Sequence, residues 1–316
     1  MKRRFLELDV FAAAPGRGNP LAVVIDAAGL DGPAMQAIAA WLNLSETTFL
    51  QPATHAAADY RVRIFTPRQE LPFAGHPSVG TAHAVLACGL ATPRDGQLVQ
   101  ECGAGLLPIR VEGERPQQRI HVRAPRGVER AADGAAVLAS LGTGRLGSLR
   151  PAVIDNGPRW WCIELADESA VRTLAPDLKA MADANVATAT VGVAVFARCP
   201  DRPHALVVRA FVPADGIPED PVTGSANAAI TAWLHANGAL PAGRFLSSQG
   251  REVGRDGIVE CAVDGDGETW IGGQTQTVVE GTMHWGSGVD RPCEAATATA
   301  ASLAPAPEPR GPRAIR

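Results

Sequence analysis

Small polar residues stand at two places where the chain turns into an Ala-rich, nearly apolar segment. The first place reads "AGHPSVGTAHAVLACG" and the second reads "DPVTGSANAAITAWLHANG". Each segment has the composition of a buried helix and starts at a glycine-bearing turn. A helix start presents unpaired N–H groups and the positive end of the helix dipole, so it favours an anion such as a carboxylate. The candidate substrate-binding residues at the two starts are Gly75, Ser78, Thr223, Gly224 and Ser225, and Ser45 is a further candidate outside them.

One titratable residue accompanies each of these turns. His76 lies between Gly75 and Pro77, at the mouth of a helix and not on its apolar face, which suits contact with a ligand. Asp220 precedes Pro221 and could either cap the second helix or accept a proton. Plain capping by Ser, Thr and Asp is the ordinary structural explanation, and a lone histidine can be a core residue. Two matched starts favour a shared site, provided that both face one cleft.

A further carboxylate interrupts the apolar stretch "LSETTFLQP". Ser45 and Glu46 follow the helix-like "MQAIAAWLNL" and precede strand-like residues. The local pattern gives no reason for a charged side chain at this edge of a buried element. Glu46 is therefore a candidate for chemistry, and its role has to come from other parts of the chain.

The elements that must position these residues occur twice. The stretch "GNPLAVVI" has a counterpart in "NGPRWWCIEL", and a helix-like segment followed by strand-like residues comes next in both halves. The motif Arg63-x-Phe65-x-Pro67 then recurs as Arg209-x-Phe211-x-Pro213, and a polar loop and an Ala-rich helix follow each copy. Three matches in the same order indicate an internal duplication.

Strands such as "YRVRIF" and "ALVVRAFV" alternate apolar and polar residues, which favours antiparallel sheets with one solvated face. We therefore predict an α+β fold of two similar domains, each a largely antiparallel, curled sheet around a central buried helix. The predicted domains are residues 1–125 and 126–285. Residues 286–316 form an Ala/Pro/Arg-rich tail whose end is predicted to be disordered.

Composition excludes several classes of function. The 316 residues carry a net charge of −4, which does not suggest nucleic acid or an anionic membrane as a partner, and no apolar run reaches membrane-spanning length. Lys2 and Lys179 are the two lysines, and neither has a context that suggests Schiff-base chemistry. The six cysteines have no C-x-x-C spacing, and the seven histidines no metal-ligand spacing. We expect a cytoplasmic protein with reduced thiols and no metal.

Four motifs carry a resemblance to a known family. The stretches "DVFAAAPGRGNPLAVV", "MQAIAAWLNLSETTFL", "RIFTPRQELPFAGHPSVGTAH" and "EDPVTGSANAAI" resemble the signatures of the PhzF family, the phenazine-biosynthesis-like isomerases, over about residues 5 to 285. The resemblance implies a diaminopimelate epimerase-like fold, an active site between two domains, a homodimer, and no metal or organic cofactor. It also implies that Glu46 is the general acid/base, with His76, Asp220 and Ser225 around the substrate.

The resemblance also separates this chain from the two-cysteine racemases and epimerases of that fold. Those enzymes place one cysteine at each central helix start, where this chain has Ala74 and Thr223. The predicted function is thus a cofactor-independent isomerase that moves a proton between carbons of a small carboxylated substrate. The alternatives are a serine hydrolase that uses Ser78 or Ser225 with His76, and a non-catalytic carboxylate-binding protein.

Overall fold

The computed structural model describes residues 1–142, 144–241 and 243–286. The described part of the chain is an α+β protein with many strands and few helices. The elements of its first part are β1 (Lys2–Val10), β2 (Asn19–Val24), α1 (Gly32–Leu42), β3 (Thr47–Gln51), β4 (Tyr60–Phe65), β5 (Glu70–Leu71), α2 (Gly75–Ala87), β6 (Gln97–Cys102), β7 (Gly105–Glu112) and β8 (Arg119–Arg123). The end predicted to be disordered lies in 287–316, outside the described residues.

The second part repeats much of this order, with two additional short helices among its early strands. Its elements are β9 (Val128–Arg130), α3 (Ala135–Ser140), β10 (Ala152–Asp155), β11 (Arg159–Glu164), α4 (Glu168–Arg172), α5 (Leu178–Thr188), β12 (Gly192–Arg198), β13 (Leu206–Val212), β14 (Ile217–Asp220), α6 (Gly224–Ala236), β15 (Phe245–Gln249), β16 (Gly257–Val263), β17 (Thr269–Gly273) and β18 (Thr275–His284). Two short 3₁₀ turns, Pro213–Asp215 and Arg251–Val253, follow β13 and β15.

The strands pair in the same sequence of directions in both parts. In the first, β1–β2 is antiparallel, β2–β3 parallel, β3–β4 antiparallel, β4–β6 parallel, and β6–β7 and β7–β8 antiparallel. In the second, the same directions follow in β10–β11, β11–β12, β12–β13, β13–β15, β15–β16 and β16–β17. This is the order that the predicted duplication requires, and antiparallel pairs predominate as predicted.

One long helix lies inside each sheet. The side chains of α2 are buried over nearly its whole length, and it packs on β1, β2 and β8, whereas α6 packs on β16, β17 and β11. Gly89 and Gly238 follow the two helices with φ of +65° and +63°, the left-handed conformation that ends a helix and that glycine adopts without strain. The two predicted buried helices are thus present. None of the helices in the described ranges has the length and apolar character needed to cross a bilayer.

The last two strands tie the two parts together. β17 pairs with β16 on one side and with β8 on the other, where Ile271 faces Val122. β18 then leaves the second part and runs antiparallel to β1, from Lys2 opposite His284 to Val10 opposite Thr275. β18 falls within the predicted second domain, but it pairs with β1 of the first part. The predicted domain boundary between residues 125 and 126 therefore does not separate the strands into two groups, and it stays a prediction.

The repeated Arg-x-Phe motif makes the same contacts in both parts. Arg63 binds Glu70 through two hydrogen bonds of 2.7 Å, and its guanidinium lies 5.1 Å from the ring of Phe65. Arg209 binds Glu219 through bonds of 2.9 and 2.8 Å, and lies 4.9 Å from the ring of Phe211. In each part the ion pair joins a long strand to the short strand that leads to the buried helix. The pair therefore fixes the direction from which the chain enters α2 or α6.

The two ion pairs differ in burial, so replacing the same partner in each tests how burial changes its contribution to the free energy of unfolding. The side chains of Arg209 and Glu219 are 9% and 7% exposed, while Glu70 is 42% exposed. Glu219→Gln leaves a buried guanidinium without its charged partner and should lower the free energy of unfolding by about 3 kcal/mol. Glu70→Gln should cost less than about 1 kcal/mol, as exposed pairs do. Urea unfolding of both variants measures the difference, and equal losses would contradict it.

Candidate active site

The starts of the two buried helices lie in direct contact. A Cβ atom on Gly224 would lie 2.9 Å from Cδ1 of Ile271 and 3.0 Å from the backbone nitrogen of His76. A Cβ atom on Gly75 would lie 3.0 Å from the same Ile271 atom and 3.3 Å from Cα of Gly224. Only glycine lets the two backbones approach this closely without displacing a neighbour. The two glycine-bearing turns identified in the sequence therefore lie side by side in the structure.

Both of these helix starts lack a side-chain cap, unlike three of the other helices. Asp31, Asp167 and Asp177 cap α1, α4 and α5 by accepting a hydrogen bond from a backbone N–H of the first turn. At α2 and α6 the N-cap residues are Ala74 and Thr223, and no side chain accepts from the first turn. The alternative in which Asp220 caps the second helix is thus wrong. The first-turn N–H groups of both helices have no side-chain cap, and the two starts are in contact, an arrangement that suits an anion.

Glu46 reaches this region from the first part of the chain. Helix α1 ends at Asn43, which adopts the left-handed conformation with φ of 55° and turns the chain toward β3. Ser45 and Glu46 form the short connection, and Oε2 of Glu46 lies 3.5 Å from Nε2 of His76. The Glu46 side chain is 16% exposed. Oε2 of Glu46 and Nε2 of His76 are both buried, and neither has a hydrogen-bond partner among the described residues.

Asp220 lies at the end of β14 and is also buried. Its Oδ2 accepts a 2.5 Å hydrogen bond from the hydroxyl of Thr223, and its Oδ1 accepts one of 3.1 Å from the side-chain amide of Asn19. The carboxylate is thus held from both sides. Asn19 in turn accepts a 3.4 Å hydrogen bond from the hydroxyl of Ser45, the residue before Glu46.

Burial sets the ionisation of the three titratable groups. It raises the pKa of the Glu46 carboxyl to about 7, opposed by the hydrogen bond from Ser45 and assisted by the negative charge of Asp215. It lowers the pKa of His76 to about 4, opposed by the charge of Asp220. The pKa of Asp220 is raised, again first by burial. At neutral pH His76 is neutral and Glu46 is close to half-protonated, the condition in which a carboxyl can both give and take a proton.

The two serines of the hydrolase alternative are engaged elsewhere. Ser78 is fully buried in the first turn of α2, where its hydroxyl donates to the carbonyl of Ala74 at 2.9 Å and accepts from Gln100 at 2.9 Å. The hydroxyl of Ser225 accepts a 3.1 Å hydrogen bond from the indole of Trp160. No hydrogen bond joins His76 to either serine among the residues described. The predicted roles of both serines in substrate binding stay predictions.

Sequence reasoning missed a buried glutamine that shapes the site. Gln249 donates to the carbonyl of Asp220 at 3.1 Å and to the hydroxyl of Thr223 at 2.9 Å, and it accepts from the Thr223 N–H and from Asn227. In the first part, Gln100 likewise bonds to the buried helix, through the hydroxyl of Ser78 at 2.9 Å. No local pattern marks either glutamine, and the sequence around Asn19 reads only as a turn before a strand.

A possible metal-ligand cluster lies elsewhere in the second part. One ligand atom from each of Glu168, Cys199 and His204 lies within 4.8 Å of the others. The Glu168 oxygens are already bonded to Arg172 at 2.9 Å and Arg202 at 3.2 Å. Two guanidinium groups beside the carboxylate oppose a cation there, so this cluster offers no support for a metal site.

Comparison with known proteins identifies relatives over nearly the whole chain. A family model described as phenazine biosynthesis-like protein, PhzC-PhzF, matches residues 8–281. Trans-2,3-dihydro-3-hydroxyanthranilate isomerase of Pseudomonas aeruginosa is 36% identical over 275 residues, which cover 84% of this chain and 92% of that protein. Antisense-enhancing sequence 1 of Schizosaccharomyces pombe is 35% identical over 292 residues, which cover 88% of this chain and 97% of that protein.

A solved structure agrees with these relatives. The PhzF-family phenazine biosynthesis protein of Bacillus anthracis superposes with a TM-score of 0.78 at 25% identity, covering 90% of this chain and 100% of its own. Fold and site therefore define an α+β protein of the epimerase-like class, with a carboxyl and a histidine where two helix starts meet. The chain belongs to the phenazine biosynthesis-like family, PhzC-PhzF. The predicted family, the α+β epimerase-like fold and the enzyme class, an isomerase, are confirmed, while the division into two duplicated domains stays a prediction.

The contact between the helix starts predicts a strong effect of one added methyl group. Gly224→Ala would press Cβ against Ile271 and the His76 nitrogen, so we expect a loss of about 1–3 kcal/mol in the free energy of unfolding, the usual cost of overpacking. Gly265→Ala is the control, because a Cβ atom there meets open space and its φ is not positive. Denaturant unfolding compares the two variants. Similar stabilities would show that the backbones can separate without cost.

The ionisation of His76 can be measured directly. Its imidazole should titrate near pH 4, well below the ordinary value of about 6.5, because burial disfavours the charged form. Imidazole ¹⁵N chemical shifts, assigned with His76→Gln, should follow this midpoint. The unfolded chain takes up the proton first, so stability should fall as the pH drops from 6.5 toward 4, and His76→Gln should reduce that fall. A midpoint near 6.5 would contradict the assignment.

Proposed function

We propose that this chain is a cofactor-independent isomerase that moves a proton between carbons of a small carboxylated substrate, with Glu46 as the general acid/base. The observation that carries the proposal is the Glu46 carboxyl itself. It is largely buried, faces His76 at 3.5 Å, and has one oxygen without a hydrogen-bond partner among the described residues. A pKa of about 7 lets the same group remove a proton from one carbon and return it to another.

The surroundings of Glu46 support a reaction with one proton carrier. His76 is neutral at pH 7, so it can hydrogen-bond to Glu46 or to the substrate without clamping Glu46 in its ionised form. Ala74 and Thr223 stand where two-cysteine epimerases of this fold carry their thiols. A mechanism with a base on each face of one carbon is therefore disfavoured. A single carboxyl that serves two carbons of the same substrate fits the residues better.

The two uncapped helix starts favour a carboxylate substrate. The uncapped starts of α2 and α6 touch each other, so their backbone N–H groups can together balance one negative charge. Asp220, Thr223 and Ser45 supply further polar atoms at the edge of the same region. The P. aeruginosa relative is named for an anthranilate-type compound, which carries a carboxylate. We take that compound as the first probe for this chain.

The remaining predictions are not needed for the proposed chemistry. The homodimer rests on the family resemblance and the cytoplasmic location on the sequence, and both stay predictions. The hydrolase alternative has lost support, because neither Ser78 nor Ser225 is bonded to His76. The non-catalytic alternative differs from the proposal in one respect, since a pure carboxylate-binding protein has no use for a carboxyl beside its ligand.

Replacing Glu46 tests the proposed function. Glu46→Gln keeps the shape of the side chain but cannot carry a proton, and turnover should fall roughly 10²- to 10⁴-fold, the usual worth of a positioned acid/base. The assay is incorporation of solvent deuterium into carbon, by mass spectrometry, with trans-2,3-dihydro-3-hydroxyanthranilate and a panel of small amino- and hydroxycarboxylates. Glu114→Gln, at an exposed glutamate, is the matched control.

Two outcomes would count against the proposal. Full deuterium incorporation by Glu46→Gln would remove Glu46 from the reaction. A wild-type rate that does not change between pH 6 and pH 8 would conflict with a proton carrier whose pKa is about 7. Binding of the probe should survive the Glu46→Gln change, which calorimetry can establish, so that a loss of turnover is not a loss of affinity.

A further inference from the structure

The backbone of Asn19 is held in place by contacts that do not involve the site. It is the first residue of β2, pairs with Val10 of β1, and is 1% exposed. The preceding Gly18 donates its N–H to both carboxylate oxygens of Asp9 at 3.0 and 3.1 Å. A Cβ atom on Gly18 would lie 2.1 Å from the carbonyl oxygen of Val10, so this approach requires glycine. The Asn19 side chain therefore starts from a rigid backbone.

Both N–H groups and the oxygen of the Asn19 side chain are hydrogen-bonded at the site. Its amide nitrogen donates to Oδ1 of Asp220 at 3.1 Å and to the carbonyl of Val222 at 2.9 Å. Its amide oxygen accepts from the hydroxyl of Ser45 at 3.4 Å. With both N–H groups on acceptors and the oxygen on a donor, the amide can be oriented in only one way. One side chain thus links the connection that carries Glu46 to the strand end that carries Asp220.

We propose that Asn19 is a positioning residue that holds the Asp220 carboxylate in place relative to the loop of Glu46. A buried carboxylate must have donors on its oxygens, and Thr223 supplies one while Asn19 supplies the other. The Asn19 donor comes from the opposite part of the chain, across the contact between the helix starts. Asn19 contacts no substrate in this proposal and acts through Asp220 and Ser45.

The ionisation of Asp220 reports this role without any substrate. The charged and titratable groups that act on Asp220 are His76 and Glu46, and the hydrogen-bond donors are Thr223 and Asn19. Removing the Asn19 donor takes away one hydrogen bond to the charged form, so Asp220 should bind its proton more readily. The catalytic consequence rests on the proposed function, but the change at Asp220 does not.

The experiment is ¹³C NMR titration of the full chain labelled at aspartate and glutamate carboxyl carbons, with the Asp220 signal assigned by Asp220→Asn. In Asn19→Ala and Asn19→Ser the Asp220 midpoint should rise by roughly one pH unit, the size expected for a lost hydrogen bond to a charged group. The control is Asn156→Ala. Asn156 is 2% exposed and donates to the backbone carbonyl of Ser225 at the start of α6, but it does not bond to Asp220.

The outcomes separate positioning from a merely structural role. An unchanged Asp220 midpoint in a folded Asn19 variant overturns the proposal, and so does an equal rise in Asn156→Ala. Loss of the fold in both Asn19 variants would assign Asn19 to stability and would also overturn it. Where turnover is measurable, kcat should fall more than KM rises. If Glu46→Gln keeps full turnover while Asn19→Ala shifts Asp220, the proposed function fails and the positioning role stands.

Discussion

The backbone contact between Gly75 and Gly224 is the constraint on which the rest of the site depends. Two helices that pack against different halves of one continuous sheet begin within van der Waals distance of each other, over the side chain of Ile271. Ile271 lies on β17, the strand that pairs with both β16 and β8 and so joins the two halves. Any shift of one part against the other would open this contact. The distances from Glu46 to His76 and from Asn19 to Asp220 are thus set by packing and not by flexible side chains.

The chemistry is less symmetric than the architecture. The Arg-x-Phe motifs align the strands, since Phe65 pairs with Thr47 and Phe211 pairs with Val193. Three positions of the site then have a different residue at the corresponding place of the other part: Gly192 for Glu46, Leu71 for Asp220 and Ser225 for His76. The two parts thus supply similar helix starts, but the carboxyl at position 46 has no titratable counterpart in the other part. The proposed function, in which one side chain exchanges a proton with a bound ligand, uses this difference.

Local patterns were sufficient to predict the parts of the fold that local forces determine. A short stretch of sequence is enough to recognise the hydrophobicity or turn residues of three features: the buried helices, their glycine ends and the repeated Arg-x-Phe strands. The pairing of β18 with β1 could not be predicted, because the alternation of apolar and polar residues in β18 is the same whichever strand it pairs with. The bond between Ser78 and Gln100 could not be foreseen either, because Gln100 lies on a distant strand. The Asn19–Asp220 bond spans 201 residues and has no local signature.

The pairing of β18 with β1 also bears on how the chain reaches its native state during synthesis. Lys2 is paired with His284, so one edge of the first sheet has no partner until nearly the whole described chain has been made. An unpaired strand edge is a template for association with other chains. Contacts of such large sequence separation also slow folding, because loop-closure entropy is lost before the contacts form. During translation the first part is therefore an incomplete sheet. We expect the chain to depend more on chaperones than an equally large protein in which each domain can complete its fold before the next is synthesised.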